Sequence, residues 1–532
     1  MASLTELYAK IKRLKKEGKN KIWTRLLKNS FAPLLMGKFD FVVGNPPWVR
    51  WGYLPEGYRD ATLKLWKDYG LFSLSSMDAR LGAGEKDFSM LFTYVAADRY
   101  LKKGEKLAFL ITQEVFKAKG AGEGFRSFKV KTTPVKVVKT HDLVSLKPFE
   151  SAANKTALII LKKGEKTEYP VPYILWRKKK GMKLDPGISY VDALERTERV
   201  EMLAKPIGTP VSSWQTFEAK TERILDTLRG ESIYQARVGS RIDPYGVFYM
   251  KIKQVFSDGT ILVENLPELG KRRISKVEER IEGDLVFPVV RGRDIRRWNA
   301  MPEIYALIVQ DPKKRVGYEE EWMKINLPRT FAYLHKFKEV LLSRGSKVVR
   351  ELAEKTAFYT MYSIGEYTFA PYKVVWKRMA SDLEAVVLSK IKTPIGEKDV
   401  IPTDTTSLIP FKSAEEAHYV CAILNSSPVR FYVKSYSSGG RGFGAPSIIR
   451  HFGIPKYDKE KEVHWRVSEL SKRAHELAKR YYEQNDLQSR EELKEVEERI
   501  DKMVAGLYGI TDKELEEVRR TLGVLKGEDG ER

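Results

Sequence analysis

At 532 residues the chain exceeds one ordinary core of about 100–200 residues, so a single small module is excluded and two to four folding units are expected. Its 42% hydrophobic and 11% aromatic residues can fill real cores, yet no apolar run nears the ~18 residues that suggest a membrane span. Ninety-five Lys and Arg against 71 Asp and Glu leave +24, a surplus that attracts polyanions and makes nucleic acid the leading partner.

Residues 1–38 read as a helical leader, with Leu4, Leu7, Ile11 and Leu14 interleaved among Lys10, Lys12, Arg13, Lys15 and Lys16. No apolar signal segment or small-residue cleavage site follows, so a soluble cytoplasmic protein is expected. Phe39-Asp-Phe-Val-Val-Gly44 reads as a strand, stopped by Asn45-Pro46-Pro47-Trp48 because proline cannot donate to a ladder. A helix over about 87–101 and strands at 106–112, 134–141 and 155–162 complete a unit over 39–165, and their alternation predicts a doubly wound α/β sheet. Residues 166–215 read as a connector. From 216 to 456, short β-like runs, turns and aromatics indicate a separate mixed α+β domain. In the 457–532 segment Val463, Val467, Leu470, Ala474 and Leu477, then Leu493, Val496, Ile500 and Met503, recur at helical spacing and predict a hairpin of two amphipathic helices. Thr511 with Glu514 marks the start of a last helix. The lone Cys421 leaves no disulfide or thiolate cluster, the six His are scattered, and no metal site is expected. Abundant Lys and Glu with few Asn and Gln match the composition of heat-adapted, thermophile proteins.

Asn45-Pro46-Pro47-Trp48 is the stretch that carries chemistry. An exocyclic amine such as adenine N6 is a poor nucleophile, because its lone pair is delocalised into the ring. An Asn side-chain oxygen and a carbonyl held by proline's fixed torsion can accept both N–H bonds and stabilise the charge that develops on nitrogen. Trp48 would stack on a base turned out of its duplex. The blander alternative is a proline-rich turn with a core tryptophan.

Phe39 through Trp48 resembles the catalytic motif of gamma-type N6-adenine DNA methyltransferases. Asp87-Phe-Ser-Met-Leu-Phe92, Leu101-Lys-Lys-Gly104 and Leu107-Ala-Phe-Leu-Ile-Thr112 resemble that family's next helix, turn and strand. Lys147-Pro-Phe149-Glu150 resembles its later motif, which implies that Phe149 faces the flipped base opposite Trp48. The implied fold is a partial Rossmann-like methyltransferase sheet, and the implied cofactor is S-adenosylmethionine. The second half resembles the target-recognition regions of type IIG restriction-modification enzymes, through Tyr234-Gln-Ala-Arg-Val-Gly239, Val289 to Trp298, Leu424-Asn-Ser-Ser427, Gly439 to Gly444 and Phe452-Gly-Ile-Pro455. Double-stranded DNA is the implied partner, with Arg291, Arg293, Arg296, Arg297 and Arg441 as candidate contacts to phosphates or guanine edges.

The sequence departs from that family at the cofactor loop. The 44 residues before Asn45 contain no Phe-x-Gly-x-Gly, while Gly82-Ala-Gly84 and Gly120 to Gly124 downstream are weak substitutes. The strand ending at Asn45 is therefore expected to have an unpaired edge, completed by a protein partner that carries the glycine-rich cofactor half. A DNA-binding specificity protein without catalysis, and a methyltransferase acting on RNA or protein, stay open. With no Pro-Asp dipeptide in the chain, DNA cleavage is not expected of it.

Overall fold

The computed structural model describes residues 2–72, 86–118, 122–149, 155–185, 187–437, 440–441 and 443–526. Gly82 to Gly84, Gly120, Glu150 and Gly439 lie outside them. The chain forms two compact units, Met1–Thr216 and Phe217–Arg532.

The first unit is organised by one mixed sheet of β1 (Phe39–Gly44), β2 (Leu101–Thr112), β3 (Lys129–Val130), β4 (Thr133–Asp142), β5 (Thr156–Lys163), β6 (Val171–Lys178), β7 (Thr197–Pro206) and β8 (Trp214–Phe217). Its order is β1-β2-β5-β4-β6-β7-β8, with β3 paired to β4. The four strands expected from apolar runs are β1, β2, β4 and β5. Leu107, Phe109 and Ile111 of β2 and Ala157, Ile159 and Leu161 of β5 alternate into the core, as a pleated sheet requires. Helix Phe88–Arg99 starts where the Asp87 carboxylate accepts the Ser89 amide, buries Met90, Leu91 and Tyr94, and feeds β2.

Two expectations are corrected. The sheet is not doubly wound throughout: β1–β2 and β4–β6 are parallel, but β5 enters antiparallel between β2 and β4. Residues 166–215 are not a connector, since they supply β6, β7 and the start of β8, with β7 antiparallel to β6. β1 is an edge strand, and its apolar side chains lie largely in solvent, Phe41 at 70% and Val43 at 78% exposure.

The second unit holds a six-stranded sheet centred on Tyr249–Val255 and Ile304–Leu307, and a four-stranded sheet in the order Ala385–Leu388, Tyr372–Lys377, Thr406–Phe411, Arg237–Val238. Helix Ala414–Asn425 packs on the four-stranded sheet and on helix Glu462–Gln484. The latter forms the expected hairpin with Leu487–Leu507, turning at Asn485 in the left-handed region (φ 56°). Thr511 and Glu514 exchange capping hydrogen bonds at the last helix, Asp512–Lys526.

Two histidines are locked between these helices. The His475 Nε2 accepts the Val387 amide at 2.9 Å while its Nδ1 meets the Ser471 carbonyl at 2.7 Å, an arrangement only the neutral ring can satisfy. The His418 ring stands edge-on to it at 4.7 Å. Burial pushes His475 down to about 4, and burial together with His475 and Lys472 pushes His418 down to about 3. Protons therefore bind the unfolded chain first as pH falls through about 6.5, and stability present above that value is lost below it, by up to about 1.4 kcal/mol per pH unit for each ring. Melting temperature should decline between pH 6.5 and 5, and a flat profile there would contradict this reading of the pair.

Candidate active site

The Asn45-Pro46-Pro47-Trp48 turn leaves the sheet at the carboxyl end of β1. Pro46 is buried and pins the turn, whereas Asn45 is exposed and presents its amide. The Trp48 indole N–H donates to the Leu110 carbonyl of β2 at 3.1 Å, which fixes the ring over the neighbouring strand. Phe149 follows β4 and meets Trp48 edge-to-face, with centroids 5.4 Å apart and planes at 74°. Residues that are 101 positions apart in sequence thus form one aromatic pair.

The turn is stapled to the segment before helix Phe88–Arg99. The Trp51 amide donates to the Lys86 carbonyl at 2.8 Å and the Phe88 amide to the Val49 carbonyl at 2.8 Å. Behind it Trp51, Trp66 and Phe72 pack ring against ring. Asp87, capping the helix through Ser89, is buried, and that burial raises its carboxyl to about 6. Sequence reasoning did not single out Asp87; the Asp-x-Ser spacing ahead of an apolar helix is the signal that marks such a cap.

The root of the Phe149 segment is held by a buried network. The Asp142 carboxylate accepts Gln113 Nε2 at 2.8 Å, the Tyr173 hydroxyl at 2.5 Å and the Val144 amide at 3.0 Å. The Leu143 amide donates to the Thr156 carbonyl at 3.0 Å, closing the ends of the loop.

The downstream glycines, weak substitutes for a cofactor loop in the sequence, do not fit that role where they are described. A Cβ on Gly122 would lie 2.2 Å from both Arg126 Nη1 and the Val115 carbonyl oxygen, and one on Gly124 would lie 2.3 Å from the Gly70 carbonyl oxygen. The space that these glycines free is filled by the chain itself. Among the described residues no group of three or more His, Cys, Asp or Glu could hold a metal ion, and no helix is long and apolar enough to cross a membrane.

In the second unit the expected arginine cluster separates. The Arg291 side chain, 10% exposed, bonds Asp294 through Nε and Nη2 at 2.7 Å each and reaches Glu303. Arg297 pairs with Glu497 at 3.1 Å and lies 3.9 Å from Asp382. In the free chain both guanidiniums are taken up by carboxylates, which leaves them less to offer a phosphate than an unpaired arginine has. Arg293 and Arg296 are exposed. Of Arg441 only the backbone is described, paired with Met379.

With the fold and the turn in place, comparisons with known proteins agree on the first unit. Residues 2–147 match the model of the Eco57I restriction-modification methylase. The type II methyltransferase M.NspV of Nostoc sp. is 29% identical over 157 residues, covering 29% of this chain and 30% of that protein. Among solved structures, the type IIL restriction-modification enzyme MmeI, in complex with DNA, superposes with a TM-score of 0.52 at 13% identity, over 92% of this chain and 57% of that one. The chain thus spans under two thirds of either relative, and the second likeness is one of fold. The motif-bearing turn and the family match fall on the same stretch: over residues 2–147 the chain is similar to the Eco57I restriction-modification methylase.

Proposed function

We propose that this chain is the target-binding component of a DNA N6-adenine methyltransferase in a restriction-modification-like system, with S-adenosylmethionine as the methyl donor. The observation that carries the reading is the exposed Asn45 amide at the carboxyl end of β1 beside a tethered Trp48 and its partner Phe149. The Asn45 side-chain oxygen and the Pro46 carbonyl accept the two N–H bonds of the target amine, and stabilise positive charge as it develops on nitrogen. Trp48 and Phe149 take the flipped base between them. A ring stacked on both faces needs partners parallel and about 7 Å apart, so the edge-to-face pair opens to admit it. Trp48 is tied to Leu110, which leaves Phe149 as the ring that moves.

The donor side of the reaction belongs, on this reading, to a protein partner. Gly122 and Gly124 are packed against the chain itself, and the exposed apolar edge of β1 is suited to pairing with a strand of a second polypeptide that carries the glycine-rich half. Calorimetry with the chain alone should give weak or no binding of S-adenosylmethionine. Tritium from labelled S-adenosylmethionine should enter duplex DNA when the chain is combined with the cofactor-binding half, and not with either alone. Tight one-to-one binding by the isolated chain would overturn the split arrangement, and preferential labelling of RNA or protein would overturn the substrate.

A further inference from the structure

Arg237 and Arg241, four residues apart, and the distant Arg315 converge in the second unit. Arg237 lies on the edge strand of the four-stranded sheet, with its guanidinium 5.0 Å from the centre of the Tyr367 ring. Arg241 is joined to Tyr362 by a backbone hydrogen bond of 3.1 Å from its amide. Arg315 turns the short hairpin between Gln310–Asp311 and Val316–Gly317, and its Nε lies 3.2 Å from where a Cβ on Gly365 would sit, with the Tyr367 ring 3.0 Å from the same point. The Tyr367 hydroxyl feels the charges of both Arg237 and Arg315.

Two properties set this cluster apart from Arg291, Arg297 and Arg430. All three arginines are exposed, and among the described residues none has a carboxylate within salt-bridge distance, whereas Arg291, Arg297 and Arg430 are held by Asp294, Glu497 and Asp382. Asp404 and Asp243 act on the Arg241 side of the cluster by charge alone, and Asp404 is engaged by the Tyr245 hydroxyl at 3.1 Å. Arg315 and Ser363 also hold left-handed backbone, at φ 58° and 57°, a conformation that non-glycine residues adopt at a cost and that concentrates where side chains must be aimed. Tyr362 stands 47% exposed among these unneutralised charges.

We infer that Arg237, Arg241 and Arg315, with Tyr362 and Tyr367, form the surface through which this chain grips duplex DNA, in place of the Arg291–Arg297 stretch. The inference rests on the proposed DNA methyltransferase reading and adds to it the location of the DNA contacts. Guanidinium forks free of protein partners match phosphate oxygens and guanine edges, and Tyr367 pre-orients one of them. Loops brought together by a sheet edge and two turns are the kind of support on which binding residues are displayed.

The test uses the full chain and a labelled random-sequence 30-base-pair duplex, with affinity followed by anisotropy from low to moderate salt. In Arg237→Ala/Arg315→Ala the affinity should fall at least tenfold, and the slope of log affinity on log salt should drop by about 1.8, close to 0.9 for each phosphate that is no longer neutralised. Arg293→Ala/Arg296→Ala should leave both nearly unchanged. If the wild-type chain binds the duplex and the Arg237/Arg315 variant binds it equally, this surface is wrong while the DNA reading stands. If the wild-type chain fails to bind the duplex or prefers single-stranded RNA, both fall. Independently of any variant, duplex DNA should protect Arg237 and Arg315, but not Arg293, from phenylglyoxal in the wild-type chain. Equal modification with and without DNA would overturn the assignment.

Discussion

Asn45→Ala should lower methyl transfer by the reconstituted enzyme 10²- to 10³-fold while leaving duplex affinity within about twofold of wild type. The magnitude is that of removing one preorganised dipole from the place where charge develops, roughly 3–4 kcal/mol of barrier. The selectivity follows from position. Asn45 is exposed at the end of an edge strand, and truncating an exposed residue there changes stability by no more than about 0.5 kcal/mol. A merely structural turn predicts unchanged transfer, because the buried Pro46 and the tethered Trp48 hold it in shape without Asn45. Transfer rate, duplex affinity and melting temperature measured together separate the two. Wild-type transfer in this variant would reduce the tetrad to a turn.

The second large effect is on folding. Arg297→Ala should destabilise the second unit by about 2 kcal/mol, below the cost of stripping one partner from a fully buried ion pair because this pair is only partly buried, at 21% and 29% exposure. The Glu497 carboxylate, which also accepts the Trp298 indole N–H at 2.7 Å, would lose its cation. Asp382 would keep its ion pair with Arg430 but lose the charge of Arg297. Burial alone would push the Asp382 carboxyl up, but hydrogen bonding and charge from Arg430, with the charge of Arg297, outweigh it and hold that group well below the usual carboxylate range. Urea denaturation should show the midpoint of Arg297→Ala far below that of wild type, with Arg293→Ala within about 0.5 kcal/mol of it. Unchanged stability with weakened DNA binding would return Arg297 to the DNA surface.

These two cases show how much was legible in the sequence. β1, β2, β4 and β5 were readable because each is an apolar run bounded by turn residues, and the Asn-Pro-Pro-Trp turn was readable because two successive prolines supply no ladder donors and stop a strand. β6 and β7 were not. Val171–Lys178 ends in charged residues, and Thr197–Pro206 alternates Glu and Arg with apolar positions, so neither reads as a buried strand, although the two pair over eight residues. Trp48 and Phe149 were placed together through family likeness, and no spacing rule would have joined them. The arginines show the limit most clearly. Arg291 and Arg293 differ by one glycine in sequence, yet the side chain of one folds back on Asp294 while the other stands in solvent. The carboxylate that claims Arg297 lies 200 residues downstream, on helix Leu487–Leu507. Arg237 falls within the Tyr234 to Gly239 stretch, but Arg241 and Arg315 belong to no motif, and the three are united only by the way their segments pack.

Nucleoside analysis tests the central claim most directly. The chain and its cofactor-binding partner would be expressed together in a host that lacks adenine methylation, the host DNA digested to nucleosides, and the modified bases identified by mass spectrometry. N6-methyldeoxyadenosine should appear with the wild-type chain and be absent with Asn45→Ala. Methylcytosine instead, or N6-methyldeoxyadenosine that persists in Asn45→Ala, would contradict the account.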